Sequence, residues 1–231
     1  MLSLVAAALV ATGGLVMSSA PVGAQAVPQC IVGFDQNGPI FADATIVGSG
    51  YIRGTSGDDV IVGSARNDNI DALGGNDSVC GMGGDDRILG GDGSDFLVGG
   101  SKNTFNGPEQ GTGNDFIDGG AGDDQIGGGD GRDTIQTGSG ENFATGQQGD
   151  DTITGGEGPD DLFGGPGDDR VLGNGGPDTI FGNFGSDVLS GGSGDDFIDG
   201  DNPSPPTVDP NPNHDSCNGG SGSNTIVNCE A

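Results

Sequence analysis

The chain has 231 residues, of which 52 are Gly and 12 Pro, so glycine alone is more than a fifth of it. Only 6 Lys+Arg stand against 35 Asp+Glu, a formal net charge of -29, which argues against nucleic-acid binding, where phosphate needs basic partners, and against docking on an anionic membrane surface. Aromatics are 5% and Trp is absent, so an ordinary helical or α/β enzyme core is a poor fit, leaving a disordered acidic chain or a repeat structure that holds many cations.

Residues 1–26 carry no charged side chain, and an apolar run from Leu2 to Val10 continues through Leu15, Val16 and Met17. Small residues follow, ending in Ala24-Gln25-Ala26, an A-x-A cleavage pattern. The usual basic n-region is missing, since the first basic residue is Arg53. An uncleaved anchor is the alternative, but the Gly13-Gly14 break and the ending favour a signal peptide over 1–26 and a secreted, extracellular mature chain.

From Gly54 the sequence divides into nines: GTSGDDVIV, GSARNDNID, ALGGNDSVC, GMGGDDRIL, GGDGSDFLV. After an irregular stretch, 99–109, the nines resume at Gln110 and run to Asp199. Gly200 opens another that is interrupted and completed by Asp215-Ser216-Cys217-Asn218, and GGSGSNTIV ends the series. Gly is favoured at the first, second and fourth positions. The sixth-position series is Asp59, Asp68, Asp77, Asp86, Asp95, Asp115, Asp124, Asp133, Asn142, Asp151, Asp160, Asp169, Asp178, Asp187 and Asp196. The eighth is aliphatic, from Ile61, Ile70 and Val79 through Ile117, Ile126 and Ile135 to Leu189 and Ile198.

A short x-aliphatic-x segment makes a strand whose middle side chain turns inward, because strand side chains alternate faces. The other six residues must reverse the chain, and glycines admit positive φ and close backbone approach. Two nines then form one coil, and stacked coils form two parallel sheets with the aliphatic rows between them, about eight coils at ~4.8 Å each. Ordering nine residues costs about 9–18 kcal/mol of backbone entropy, while one buried Ile or Leu returns about 1.5–3 kcal/mol. Stacking also lines up like charges. Each turn offers a carboxylate and glycine carbonyls, and a cation between turns collects six or more oxygens, the preference of calcium; magnesium demands tighter octahedral geometry. His and Cys clusters that would favour zinc or copper are missing. About ten Ca²⁺ would offset most of the charge.

The repeat G-G-x-G-x-D-x-(aliphatic)-x resembles the RTX, or haemolysin-type, calcium-binding nonapeptide. GGDGSDFLV from Gly90 and GGAGDDQIG from Gly119 fit it at every position, and the resemblance spans 54–227. It implies an all-β fold, a parallel β-roll (a right-handed β-solenoid) with multiple Ca²⁺ ions between successive turns, folding on calcium outside the cell. It also implies that the sixth-position Asp residues are side-chain ligands and several Gly positions backbone ligands. Asn142 and Ala144 depart from the pattern at both key positions of one nine, Asn224 departs in the last, and Arg66 replaces a fourth-position Gly. Thr104 stands where Asp would in 99–109, so a kink or a missing ion is expected there.

An open roll needs caps at its ends. Thr45-Ile46-Val47 is expected to begin the N-terminal cap (27–53), with Ile40 and Phe41 packing beneath it. Cys30, Cys80, Cys217 and Cys229 read as disulfides in an oxidising compartment, with three connectivities open and Cys30–Cys80 plus Cys217–Cys229 favoured; a zinc site is the rival, but no C-x-x-C pair exists. Residues 201–213, with prolines at 203, 205, 206, 210 and 212, read as a solvated loop within 200–218. His214, the sole histidine, is a bystander.

The search for catalytic chemistry fails: there is no H-E-x-x-H, no G-x-S-x-G elbow and no G-K-[ST]. Paired acids such as Asp58-Asp59 recur with the repeat, so calcium ligation explains them better than glycoside hydrolysis does. The reading is a secreted, non-enzymatic calcium-binding protein with repeat blocks at 54–98 and 110–199 and a C-terminal repeat and cap at 219–231. Two rivals remain: an extracellular adhesin, ice-binding or polysaccharide-binding module using a sheet face, and a hydrolase with a β-roll accessory, for which 27–50 is too short.

Overall fold

The computed structural model describes residues 29–35, 38–100, 112–201 and 215–229, with side chains from residue 44 onward. The expected signal segment, the Pro-rich loop, His214 and Thr104 lie outside them, as do the side chains of Cys30, Ile40 and Phe41. A hairpin of β1 (Gln29–Asp35) and β2 (Gly38–Asp43) comes first. The chain then winds as a parallel β-solenoid of about eight coils, with no helix among the described residues. A ten-stranded sheet runs from β3 (Ile46–Val47) to Thr225–Val227, and a nine-stranded sheet from β4 (Tyr51–Arg53) to Ser216–Ser221. The expected β-roll is the fold observed.

The register follows the repeat. Each residue pairs with the one a full coil away, so the eighth positions form two continuous rows. One runs Ile61, Val79, Leu97, Ile126, Ala144, Leu162, Ile180, Ile198. The other runs Ile70, Ile88, Ile117, Ile135, Ile153, Val171, Leu189. Both rows are buried in one core. Ala144 keeps its place in it, so the departure noted in that nine costs volume but not register.

The irregular stretch is where the structure departs from expectation. The enlarged nine at 99–109 is not a coil of its own. Gly99 and Gly100 complete Phe96–Gly100 in the ten-stranded sheet, and the same turn continues at Thr112, which bridges to Asp130. The Asp86 N–H donates to Asp115 Oδ1 across 29 residues, against 18 between Asp68 and Asp86. Residues 101–111 are therefore an insertion after the second position of a nine, and the ladder passes it in register instead of kinking. The interruption after Gly200 is likewise passed by the ladder, with the Asp187 N–H donating to Asp215 Oδ1 across 28 residues.

A second ladder runs along the rims. Fifth-position side chains accept the N–H of the fifth residue one coil later: Asp58 from Asn76 (2.8 Å), Asn76 from Ser94 (2.9 Å), Asn114 from Arg132 (2.8 Å), Asp168 from Ser186 (2.9 Å). On the outer face of the ten-stranded sheet Phe143, Phe163, Phe181 and Phe197 form a contiguous ridge with centroids 5.3, 5.0 and 5.8 Å apart. Phe143 and Phe197 occupy seventh positions and Phe163 and Phe181 ninth positions, both of which face outward, so no single position of the repeat reveals the row.

The ends are closed differently. Thr45-Ile46-Val47, expected to begin the N-terminal cap, supplies the first strand of the ten-stranded sheet: the Thr45 hydroxyl accepts from Val60 N–H at 2.9 Å, and Ile46 pairs with Ile61. Cys217 occupies an eighth position and bonds Cys229, tying the last coil across its two strands as expected. Cys80 is also disulfide-bonded, and β1 lies beside Ser78–Met82, the strand that carries it; the side chain of its expected partner Cys30 is outside the described set. Ile153 is 0% exposed and Val188 42%. Ile153→Ala should lower the unfolding free energy of the calcium-saturated protein by about 2–5 kcal/mol in urea titration, while Val188→Ala should change it by no more than about 0.5 kcal/mol.

Candidate metal centre

The sixth-position carboxylates are the most unusual groups in the molecule. Asp77, Asp86, Asp95, Asp115, Asp124, Asp133, Asp151, Asp169, Asp178, Asp187 and Asp196 are each at most 3% exposed, and Asp59, Asp68 and Asp160 are buried too. All fourteen expected residues thus lie in the turns in two rows, one along each side of the roll. Acids are rarely fully buried unless paired, and the two ion pairs resolved here, Arg53 with Asp71 and Arg132 with Asp150, involve neither row.

One oxygen of each carboxylate is accounted for. Oδ1 accepts the N–H of the sixth residue one coil earlier: Asp77 from Asp59, Asp95 from Asp77, Asp133 from Asp115, all at 2.8 Å, and Asp151 from Asp133 at 2.7 Å. The other is not. Oδ2 of Asp77, Asp86, Asp95, Asp124, Asp133, Asp151, Asp169, Asp178, Asp187 and Asp196 is buried without a hydrogen-bond partner. A single orphaned buried polar atom calls for an explanation; ten at equivalent positions mark a built feature.

Most of the orphaned oxygens face a cradle that only glycine permits, although Ala72 stands at the first position of the Asp77 turn. A Cβ placed on Gly164, first in its nine, would overlap Asp169 Oδ2 and come within 2.8 Å of the carbonyl oxygen of Gly182 in the next coil. Gly81, Gly99, Gly128 and Gly182 repeat the arrangement, each close to its own Asp Oδ2 and a glycine carbonyl one coil on. Position one is thus glycine for proximity. Position four is glycine for conformation, as at Gly131 with φ 149°, a region closed to residues with a Cβ. Among the described residues no three His, Cys, Asp or Glu side chains cluster, so the donor set of a turn is one carboxylate with backbone carbonyls. All-oxygen donors of this kind suit a hard cation with many ligands.

Asn142 and Asn224 separate the two roles of the carboxylate. Their Oδ1 atoms still accept from Asp124 N–H and Asp196 N–H, both at 2.9 Å. Asn142 Nδ2, standing where the second oxygen would be, donates to Asp160 Oδ1 at 3.0 Å. An asparagine keeps the coil-to-coil bond and loses the cation-facing oxygen.

The RTX calcium-binding nonapeptide repeat family matches residues 53–88, 81–103, 111–135, 136–171 and 172–202. The chain belongs to this family. Its nonapeptide repeats bind Ca²⁺, several ions to a chain, so calcium is the cation that the buried oxygens and carbonyl cradles fit. No curated protein matches the chain.

Burial pushes the carboxyls of Asp86, Asp115, Asp124, Asp169, Asp178 and Asp187 from the ordinary 3.8 up to about 7, Asp77 and Asp133 up to about 6, and Asp151 up to about 8. The hydrogen bond from the preceding coil pulls the other way, and for most of them neighbouring acids add to the rise. Because the folded values lie above the unfolded one, the metal-free roll binds more protons than the unfolded chain. The stability they contribute is fully present below pH 3.8 and lost as pH rises through about 6 to 8. In chelator, acidification from pH 8 to pH 4 should therefore increase the β signal in circular dichroism; a β signal that falls over this window would contradict the burial of these oxygens. In the same range calcium and protons compete, so calcium affinity should drop as pH falls.

Proposed function

We propose that this is a secreted, non-enzymatic RTX protein that folds upon binding calcium outside the cell. The observation that carries this reading is the row of buried, partnerless carboxylate oxygens, most of them facing carbonyls across a glycine cradle. Such oxygens make the metal-free roll unfavourable: a buried ionised carboxylate without a partner is strongly destabilising, and stacking brings like charges together. The bound ion supplies positive charge and a shell that accepts oxygen ligands. The chain's own part is to hold the Oδ2 of Asp77, Asp86, Asp95, Asp124, Asp133, Asp151, Asp169, Asp178, Asp187 and Asp196 beside backbone carbonyls, with water displaced. Asp115 stands in an equivalent turn, beside Gly99. Binding is then part of folding, as in other metal-nucleated domains.

Low intracellular calcium would leave the -29 chain expanded by its own repulsion and suited to export. The family is generally extracellular, and the A-x-A ending of residues 1–26 supports the same compartment. A disulfide at Cys217–Cys229 agrees with an oxidising environment.

The decisive test is circular dichroism of the 27–231 chain at neutral pH during calcium titration. The β signal should be small in chelator, rise cooperatively with calcium, and respond weakly to magnesium. A full β signal in chelator, unchanged by calcium, would remove coupled folding.

A further inference from the structure

The turns exist in two backbone states, and the state correlates with whether the carboxylate is free. In all ten turns whose Asp Oδ2 lacks a partner, the second residue of the nine lies in the left-handed region. This residue is a glycine, such as Gly120 (φ 104°), or Leu73 (φ 84°), Met82 (φ 89°), Gln147 (φ 77°), Asn174 (φ 71°) or Asn183 (φ 78°). Three turns differ. Thr55 gives both its N–H (2.7 Å) and its hydroxyl (2.9 Å) to Asp59 Oδ2. Ser64 gives N–H (2.7 Å) and hydroxyl (2.9 Å) to Asp68 Oδ2. Gly156 gives its N–H (2.9 Å) to Asp160 Oδ2. None of these three second residues has a left-handed φ.

The physical link is the direction of one amide. Outside the left-handed region the N–H of the second residue turns onto the carboxylate; inside it, the N–H does not reach and Oδ2 is left over. A β-branched threonine resists positive φ, and a Ser or Thr hydroxyl adds a second local donor. In the coil 54–71 the fourth residues, Gly57 and Arg66, also lie outside the left-handed region. Both turns of this coil are thus closed on themselves, whereas Gly156 has no side chain to hold its turn shut.

We propose that the backbone state of the second residue gates each turn, so that the first coil takes no cation and forms a self-closed end of the roll. Asp160 takes one only after Gly156 moves into the left-handed region. This deepens the calcium reading above and rests on it.

Calcium bound per chain, measured by equilibrium dialysis of the 27–231 protein at saturating calcium, tests the gate. Asp59→Asn and Asp68→Asn should bind as many ions as the unaltered protein, and Asp124→Asn at least one fewer. Loss of an ion in either of the first two variants overturns the gate. An unaltered protein that binds no calcium at all would instead overturn the calcium reading. Should a variant fail to fold, the anomalous difference map of calcium-saturated crystals of the unaltered protein decides. Peaks beside Asp124 Oδ2 but not beside Asp59 or Asp68 Oδ2 support the gate, and a peak beside either of those overturns it. A peak beside Asp160 with Gly156 still outside the left-handed region does so as well.

Discussion

One side chain per turn joins each coil to its neighbour and at the same time creates the demand for a cation. The sixth-position aspartate spends Oδ1 on the amide of the preceding coil, a bond of 2.7–3.1 Å repeated along both rims. That bond draws the carboxylate out of water, which leaves Oδ2 beside carbonyl oxygens that cannot donate to it. A hydrogen bond to an ionised acceptor stabilises the stack, but the second oxygen makes the same stack costly until positive charge arrives. The fold and the ion requirement therefore have a single origin. Protons meet the requirement in part, which is why the buried carboxyls shift upward.

The glycines divide by the job they do. At the first position a side chain would fill the space between Oδ2 and the next coil's carbonyl, so the constraint is volume. At the second position the constraint is a left-handed backbone, which Asn, Gln, Leu and Met also meet in this chain. At the fourth it is again conformational, and among the described residues with positive φ there only glycine occurs. A fifth-position Asp, Asn or Ser then takes the N–H one coil later, so the two side-chain ladders run in opposite directions along the roll.

The strand faces contribute apolar cohesion that does not depend on the metal. The inner face carries the two aliphatic rows, and the outer face of the larger sheet carries the phenylalanine ridge. Phe163 and Phe181 stack on one another with an interplanar angle of 15°, so these rings turn their faces to each other and not outward. Cations are few and exposed, as at Arg132 beside Asp150, so they do little to neutralise the buried rows.

The nonapeptide spacing alone determined the coil, the two rows of aspartate, the aliphatic core and the family, because a period of nine with one apolar and one acidic position admits one way of stacking. Positions that break the period were harder to read. The insertion at 101–111 hides its register, since the two residues before it belong to the same turn as Thr112, and only strand pairing reveals that. The phenylalanine ridge needed the pairing of seventh with ninth positions across strands. Above all, Asp59, Asp68 and Asp160 look the same in sequence as the ten whose second oxygen has no partner, yet their own second oxygens are closed by a local amide. A sequence names the acid at each turn; the tertiary structure decides whether its oxygen is free, because that depends on a backbone angle four residues away.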